Sequence, residues 1–287
     1  MNRVVMATVF ALLAFAANSV LCRMALRAAH IDPASFMSIR LIAGAVTLWL
    51  LVRIRPGAGR LGGDWASALA LLVYAIAFTF AYVGLTAGTG ALLLFGAVQV
   101  AMISVGFLGG ERIDASIAIG WLLAVSGLIL LLFPGITAPP ARDAIFMLVA
   151  GGAWGIYSLR GRRSVNPLED NAGNFVRSLP GTVLISVLLW SRRSADAEGV
   201  VLAVLSGSIA SGLGYAAWYT ALPRLGAIAA ANAQLSVPVI AALAGTVLFA
   251  EPVTLRLAVS SVLVLGGAAL AVQRMLALRT ARLAREA

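Results

Sequence analysis

The sequence predicts an all-α integral membrane protein of ten transmembrane helices, built as two inverted five-helix repeats around a central cavity. Three observations predict it. The 287 residues are 61% hydrophobic and 11% charged, whereas a soluble domain is about 45–50% apolar and about 25% charged. Apolar segments recur along the whole chain, each close to the roughly 20 residues that cross a bilayer. Landmarks of the first half return in the second half at nearly one spacing.

The segments are justified in order by what interrupts them. The first spans 4–25. Arg3 followed by an apolar stretch has the look of a signal peptide, but the stretch is long and no small-x-small cleavage site precedes Arg23. It is read as a retained helix. The next are 34–53, closed by the Arg, Pro and Gly of 53–64, then 65–85 and 89–109, parted by little more than glycine and threonine. The fifth is 114–133, and three prolines between Pro134 and Asp143 end the first half. The sixth, 143–162, runs into the most charged gap. The seventh, 171–190, and the eighth, 199–221, flank the polar stretch 191–198. The ninth, 226–249, follows a weak break at Pro223–Leu225, and the tenth is 254–274. The two units are then residues 1–138 and 139–287 of one integrated membrane domain.

Charge gives orientation and excludes partners. There are 21 basic residues, all arginine, against 11 acids. The arginines fall in short gaps between apolar runs rather than along one polar face, which sets nucleic-acid binding aside. With the N-terminus inside, 13 arginines lie in cytoplasmic segments and 6 outside. That bias places both termini in the cytoplasm of a cell (inner) membrane protein. One cysteine, Cys22, permits no internal disulfide, and one histidine, His30, permits no His/Cys metal cluster. No cofactor is implied.

The repeat has specific landmarks. Arg40 and Gly44 match Arg177 and Gly181, 137 residues on. Ser19 matches Ser158 at 139, while Glu111 matches Glu251 and Gly127 matches Gly267 at 140. Five helices per unit is an odd number, so the copies must be inverted, as in many transporters whose substrate sites lie between the repeats.

These residues carry a family resemblance. The helix-2 arginine, the Gly110-Glu111-Arg112-Ile113 turn, the Trp154-Gly155-Ile156-Tyr157-Ser158 run and the Phe249-Ala250-Glu251-Pro252 turn resemble the drug/metabolite transporter superfamily. More narrowly the chain resembles its EamA-type ten-helix exporters, and among them those that export amino acids. The resemblance spans nearly the whole chain. It implies a pseudosymmetric helix basket, a central cavity and export of small metabolites. One departure stands out: where many relatives have proline in helix 4, this chain reads Val98-Gln99-Val100, while the second half keeps Pro238. The two halves are expected to bend differently.

The candidate substrate-binding residues come from spacing. Trp49, Trp65 and Trp190 lie at segment ends, where indoles suit the membrane interface. The tyrosines lie deeper. Tyr74, Phe78 and Tyr82 repeat every four residues; Trp154, Tyr157 and Ser158, and likewise Tyr215, Trp218 and Tyr219, follow i, i+3, i+4 spacing. Each set shares a helix face. A buried hydroxyl or indole N–H needs a partner, which a wet cavity supplies; helix packing is the alternative. Asn18, Gln99, Asn232 and Gln234 add mid-span amides, which face the bundle interior and either contact substrate or bond across helices. Arg40, Arg177, Pro180 and Pro238 are assigned structural or gating roles, the prolines as hinges or fixed kinks. Glu111 and Glu251 read as turn and cap residues.

No Asp or Glu falls mid-span, so the sequence offers no acid for ion coupling, and transport of a neutral substrate is expected to persist without a proton gradient. The expected partners are the lipid bilayer and a small-molecule substrate. Neutral or aromatic amino acids fit an uncharged, ring-lined site, as do small drugs and other metabolites. An enzyme would need a catalytic set that the chain lacks, and a scaffold would not need inverted repeats. The oligomeric state stays open, a monomer included.

Overall fold

The computed structural model describes residues 2–55, 60–108, 114–161, 164–221 and 233–286. Their secondary structure is helical, with one isolated antiparallel bridge between Ile31 and Ala195. The helices are α1 (Asn2–Arg27), α2 (Pro33–Ile54), α3 (Trp65–Ala81), α4 (Ala87–Leu108), α5 (Ala115–Leu132), α6 (Ala141–Gly161), α7 (Pro167–Leu188), α8 (Ala197–Ala221), α9 (Ser236–Phe249) and α10 (Leu255–Glu286). Seven of them are long and apolar enough to cross a membrane: α1, α2, α4, α5, α6, α8 and α10. Helices α3 and α9 are apolar but shorter. At 1.5 Å per residue α3 reaches about 25 Å, less than the roughly 30 Å hydrocarbon core.

The helix starts follow from aspartate chemistry. Asp32, Asp64, Asp114 and Asp196 cap α2, α3, α5 and α8, each accepting backbone N–H bonds from the first turn. Asp143, Glu169 and Asp170 lie in the first turns of α6 and α7, where the helix dipole favours negative charge. The acids of the described residues are thus spent on helix ends.

Sidedness is inverted relative to a soluble bundle. On α2, Ile42, Val46 and Leu50 point outward and are about half exposed, while Arg40 and Gly44 are buried. The other helices also present large exposed aliphatics, such as Ile119, Leu122, Leu243 and Val262. Such a surface is solvated by lipid, not water.

Packing pairs α2 with α7, α3 with α6, α4 with α6 and α9, and α5 with α10; α8 lies against α1 and α2. Small residues set the closest approaches. A methyl built on Gly120 of α5 would stand 2.5 Å from the Gly267 carbonyl oxygen of α10, and one on Gly267 would stand 2.5 Å from that of Gly120. One built on Gly207 of α8 would stand 2.3 Å from the Arg40 carbonyl oxygen. There α8 is wound as a π-helix from Ser206 to Leu213, a local widening often found at functional positions.

Helix α3 ends at Ala81 rather than 85, and two further boundaries depart from the sequence reading. Helix α7 begins at Pro167 rather than 171, because Pro167 suits the first helical position and Glu169 and Asp170 suit the dipole. Helix α10 continues past 274 to Glu286. The ninth segment is described as a regular helix from Ser236, and residues 226–232, like the Gly110–Ile113 turn and Pro223–Leu225, lie outside the described residues.

Candidate functional site: a ring cluster around a buried arginine

Rings from five helices meet in mid-bundle. Trp154 of α6 is the hub, with centroid distances of 5.0 Å to Tyr74, 5.0 Å to Tyr215, 5.6 Å to Tyr157 and 6.3 Å to Phe15. Phe15 also sits edge-on to Tyr215 and Trp218, and Phe175 of α7 edge-on to Tyr215. Tyr74, Phe78 and Tyr82 stack along α3 at 5.3 and 4.8 Å. All these rings are buried. Of the candidates, Phe78, Tyr82, Trp154, Tyr157, Tyr215 and Trp218 therefore join one cluster. Expected to line an open cavity, they instead pack ring on ring. Edge-to-face and tilted ring pairs are mutually attractive, which favours this packing. Tyr82 lies at the far margin: it is the C-cap of α3, and its ring abuts Gly90 and its hydroxyl the Ala87 carbonyl of α4.

Arg40 lies against this cluster, 2% exposed. It does not snorkel. Its guanidinium carbon is 4.8 Å from the Phe78 ring centroid and 5.3 Å from that of Tyr74. Nε donates to the Ser211 hydroxyl at 3.3 Å, and Nη2 to the Tyr74 hydroxyl at 3.2 Å. Asn18 extends the layer: Nδ2 donates to Tyr74 at 3.3 Å, and Oδ1 accepts from Ser206 at 2.6 Å. An arginine inside a span costs up to about 2.5–3.5 kcal/mol on insertion scales, the value at the helix centre. Two ring faces return about 0.5–2 kcal/mol each, and the hydroxyls add hydrogen bonds. Arg40 has no carboxylate within ion-pair distance among the described residues.

Both ends of the bundle are tied by polar side chains. At the end holding the α1 C-terminus, Arg23 Nε donates to Glu251 Oε1 at 2.9 Å, and Glu251 Oε2 accepts from the Ala87 N–H at 2.8 Å. Glu251 thereby caps α4 from across the bundle. Arg27 donates to the Phe249 carbonyl at 2.8 Å. At the opposite end, α7 grips the turn before α3. Asp170 accepts from Gly63 N at 2.7 Å, Asn174 from Asp64 N at 2.9 Å, and Arg177 donates to the Gly62 carbonyl. Tyr157 donates to Asn171, and Arg160 to Asp64 at 2.8 Å. Burial alone would push the Asp64 carboxyl up, but the Ser67 hydroxyl and amide and the Arg160 guanidinium outweigh it and hold it at about 2. A crevice of about 10 Å³ lies among Tyr157, Asp170, Asn171, Asn174 and Tyr219, roughly the room of one water.

The remaining candidates lie elsewhere. Gln99 is buried on α4, whose neighbours include α6, α9 and α10. Ser158 and Gln234 are half-buried, and Asn232 is outside the described residues. Pro180 interrupts α7 on an exposed face. Pro238 is buried near the start of the described part of α9. Sequence reasoning missed Phe15, Phe175, Ser206 and Ser211. Phe15, Asn18 and Ser19 follow i, i+3, i+4 spacing, a signal that singling out tyrosine and tryptophan overlooked.

Comparison with known proteins agrees with this architecture. Residues 142–273 match the model of the EamA-like transporter family. An uncharacterized protein of Pseudomonas aeruginosa is 50% identical over 287 residues, covering 99% of this chain and 98% of its own. An uncharacterized transporter of Archaeoglobus fulgidus is 30% identical over 169 residues, 57% of this chain and 60% of its own. A protein crystal structure superposes with a TM-score of 0.66 at 19% identity, over 93% of this chain and 98% of that one, a likeness of fold. Residues 142–273 of this multi-pass chain of apolar helices are thus an EamA-like transporter family domain, which makes the protein a member of the drug/metabolite transporter superfamily.

Proposed function

We propose that the protein exports small metabolites, amino acids with neutral or aromatic side chains foremost, by alternating access through the ring cluster. Ten spans form two inverted halves, 1–138 and 139–287, with both termini in the cytoplasm. The observation that carries the reading is the convergence of α1, α3, α6, α7 and α8 on Trp154 and its neighbours in mid-bundle. Packing supports the inverted halves. Helices α2, α4 and α5 each lie against the helix five places on, and the α3–α6 contact has its counterpart in α8–α1. Gly44 meets the Gly207 carbonyl of α8, while its mate Gly181 meets Leu72 of α3, as exchange of the halves requires. The clasped ends support a closed intermediate between two open states. A multidrug or other small-metabolite exporter is the second reading, favoured by the apolar ring faces gathered on Trp154, which suit flat hydrophobic molecules in general.

Uptake of radiolabelled phenylalanine and leucine into proteoliposomes tests this. Saturable flux is expected in wild type. Trp154→Phe, which keeps a ring but removes the larger indole surface, should lower flux about tenfold, the worth of about 1.4 kcal/mol in binding. Trp49→Ala, on an exposed face, should leave flux within about twofold (~0.4 kcal/mol). Absence of saturable flux of amino acids, with uptake of an apolar cation instead, would favour the second reading.

A further inference from the structure

The donor inventory of Arg40 is incomplete. A guanidinium carries five N–H groups. Nε and Nη2 reach neutral hydroxyls at 3.3 and 3.2 Å, the long end of the N–H···O range. Nη1 is buried and has no hydrogen-bond partner, and the Tyr215 hydroxyl beside the cluster is in the same state. The other arginines show what this chain does when a guanidinium is structural. Arg23 and Arg160 reach carboxylates at 2.9 and 2.8 Å, and Arg177 reaches a backbone carbonyl. Arg40 alone among these four combines full burial, a free nitrogen and no acid. The nearby acceptors are already engaged: Asn18 Oδ1 by Ser206, and the Tyr74 hydroxyl by both Asn18 and Arg40. The spot thus presents unused donors and no spare negative group. A cation finds nothing there; an anion finds an N–H pair, a phenol O–H and an uncancelled positive charge.

We infer that Arg40 receives the carboxylate of the transported molecule, so that the substrate class is small organic carboxylates with an apolar body, amino acids among them. This rests on the transporter reading above. A carboxylate matches the planar guanidinium fork, making paired, charge-assisted hydrogen bonds. The apolar body then takes the place of ring–ring contacts among Phe15, Trp154 and Tyr215, which part to admit it. The π-helical segment supplies Ser211 and brings α8 hard against α2 at Gly207, so anion binding at Arg40 is sensed by α8 directly. The rings offer an ammonium group their faces, not a counter-charge. The carboxylate is therefore the group the site selects for, and an amine lacking one is rejected.

The test compares isosteres on the purified full-length wild type in nanodiscs, read by quenching of tryptophan fluorescence and by thermal shift. The probes are phenylacetate against phenylacetamide, and phenylalanine against phenylalaninamide. Each carboxylate should bind at least about tenfold more tightly than its amide. Arg40→Lys should shrink that ratio, since a point charge loses the fork, and Arg40→Gln should bring it close to one. Tyr215→Phe, which leaves the charge in place, should weaken the carboxylates but not the amides, and serves where Arg40→Gln does not fold. Arg177→Gln should leave the ratio unchanged. Equal binding of acid and amide to wild type, absence of saturable binding by the acids, or a ratio that survives Arg40→Gln would each overturn the inference. Because the readout is equilibrium binding, it separates from flux. Arg40-dependent acid preference without flux would unseat the transporter reading alone, while flux without acid preference would unseat only the anion site.

Discussion

His30 shows how one side chain ties chain segments that are remote in sequence. It lies in the turn between α1 and α2, and its Nδ1 is 2.8 Å from Asp196, the N-cap of α8, with Glu198 at 3.5 Å from Nε2. Backbone bonds reinforce the junction: Asp196 N–H donates to the His30 carbonyl and Asp32 N–H to that of Ser194. The hydrogen bond to Asp196 raises the imidazole above its ordinary value of 6.5, while Asp196 is lowered by the Gly199 N–H and by His30. A raised folded-state value means that the folded protein binds the proton more tightly than the unfolded chain. The stabilisation is then complete below pH 6.5 and is lost as pH rises through the raised value. Thermal unfolding in detergent should accordingly show a midpoint that falls across that interval, and His30→Gln should flatten the step. A midpoint that climbs with pH there, or an unchanged step in His30→Gln, would refute the assignment.

At the scale of helices, the closest junction is α5 on α10. Gly120 and Gly267 face each other so tightly that a methyl on either would overlap the other's carbonyl, and Gly127 abuts Leu263 and Val264. Backbone cannot yield as a flexible side chain can. Gly120→Ala and Gly267→Ala should each destabilise by about 1–3 kcal/mol, the usual cost of overpacking, seen as a lowered denaturation midpoint. Since one alanine already forces the helices apart, the double variant should cost less than the sum of the two. Gly266, which meets nothing within 4 Å, is the control. This junction also marks what is legible in the sequence. Gly267 and Gly127 stand out as repeat landmarks, and helix positions follow from apolar run length, since lipid rewards little else. The ends are harder. The first turn of α7 reads as loop because Glu169 and Asp170 are polar, yet the Glu169 carbonyl and the Asp170 carboxylate hold Gly62 and Gly63 from within a helix. The tyrosine and tryptophan faces point to the ring cluster through their spacing. The π-wound stretch of α8 has no such signature: Ser206, Gly207 and Ser211 are small residues whose winding depends on α2 being within reach. Arg40 is visible as a charge in an apolar run, but its depth depends on rings from α3 that no local pattern of α2 encodes.

For the molecule as a whole, the two ends are closed by different chemistry. One end relies on amides, carbonyls and the short Asp64–Arg160 pair; the other concentrates on the Arg23–Glu251 pair, whose side chains are about one-tenth exposed. Glu251 holds three parts together at once: α1 through Arg23, α4 through the Ala87 N–H, and its own turn before α10. Glu251→Gln keeps a group able to accept from Ala87 but leaves Arg23 without its counter-charge. Losing a hydrogen bond of the charged kind costs about 1.5–3 kcal/mol. If that energy holds the end shut, the fraction of molecules open there should rise roughly 10- to 100-fold.

The residue preceding Arg23 makes that fraction measurable. Cys22 is the sole thiol of the chain and has no exposed surface, so in the closed molecule a bulky, membrane-impermeant maleimide cannot reach it. Labelling of the native protein then has to wait for the Arg23–Glu251 end to part, and its rate multiplies with the open population. Wild type should label slowly and Glu251→Gln faster by the factor above; equal rates would mean the pair does not govern opening. Bound substrate should change the rate as well, in whichever direction it redistributes the open and closed forms. On the proposed alternating-access reading, the burial of a single sulfur gives an intrinsic reporter of opening, one that requires no engineered residue and works whatever the cargo.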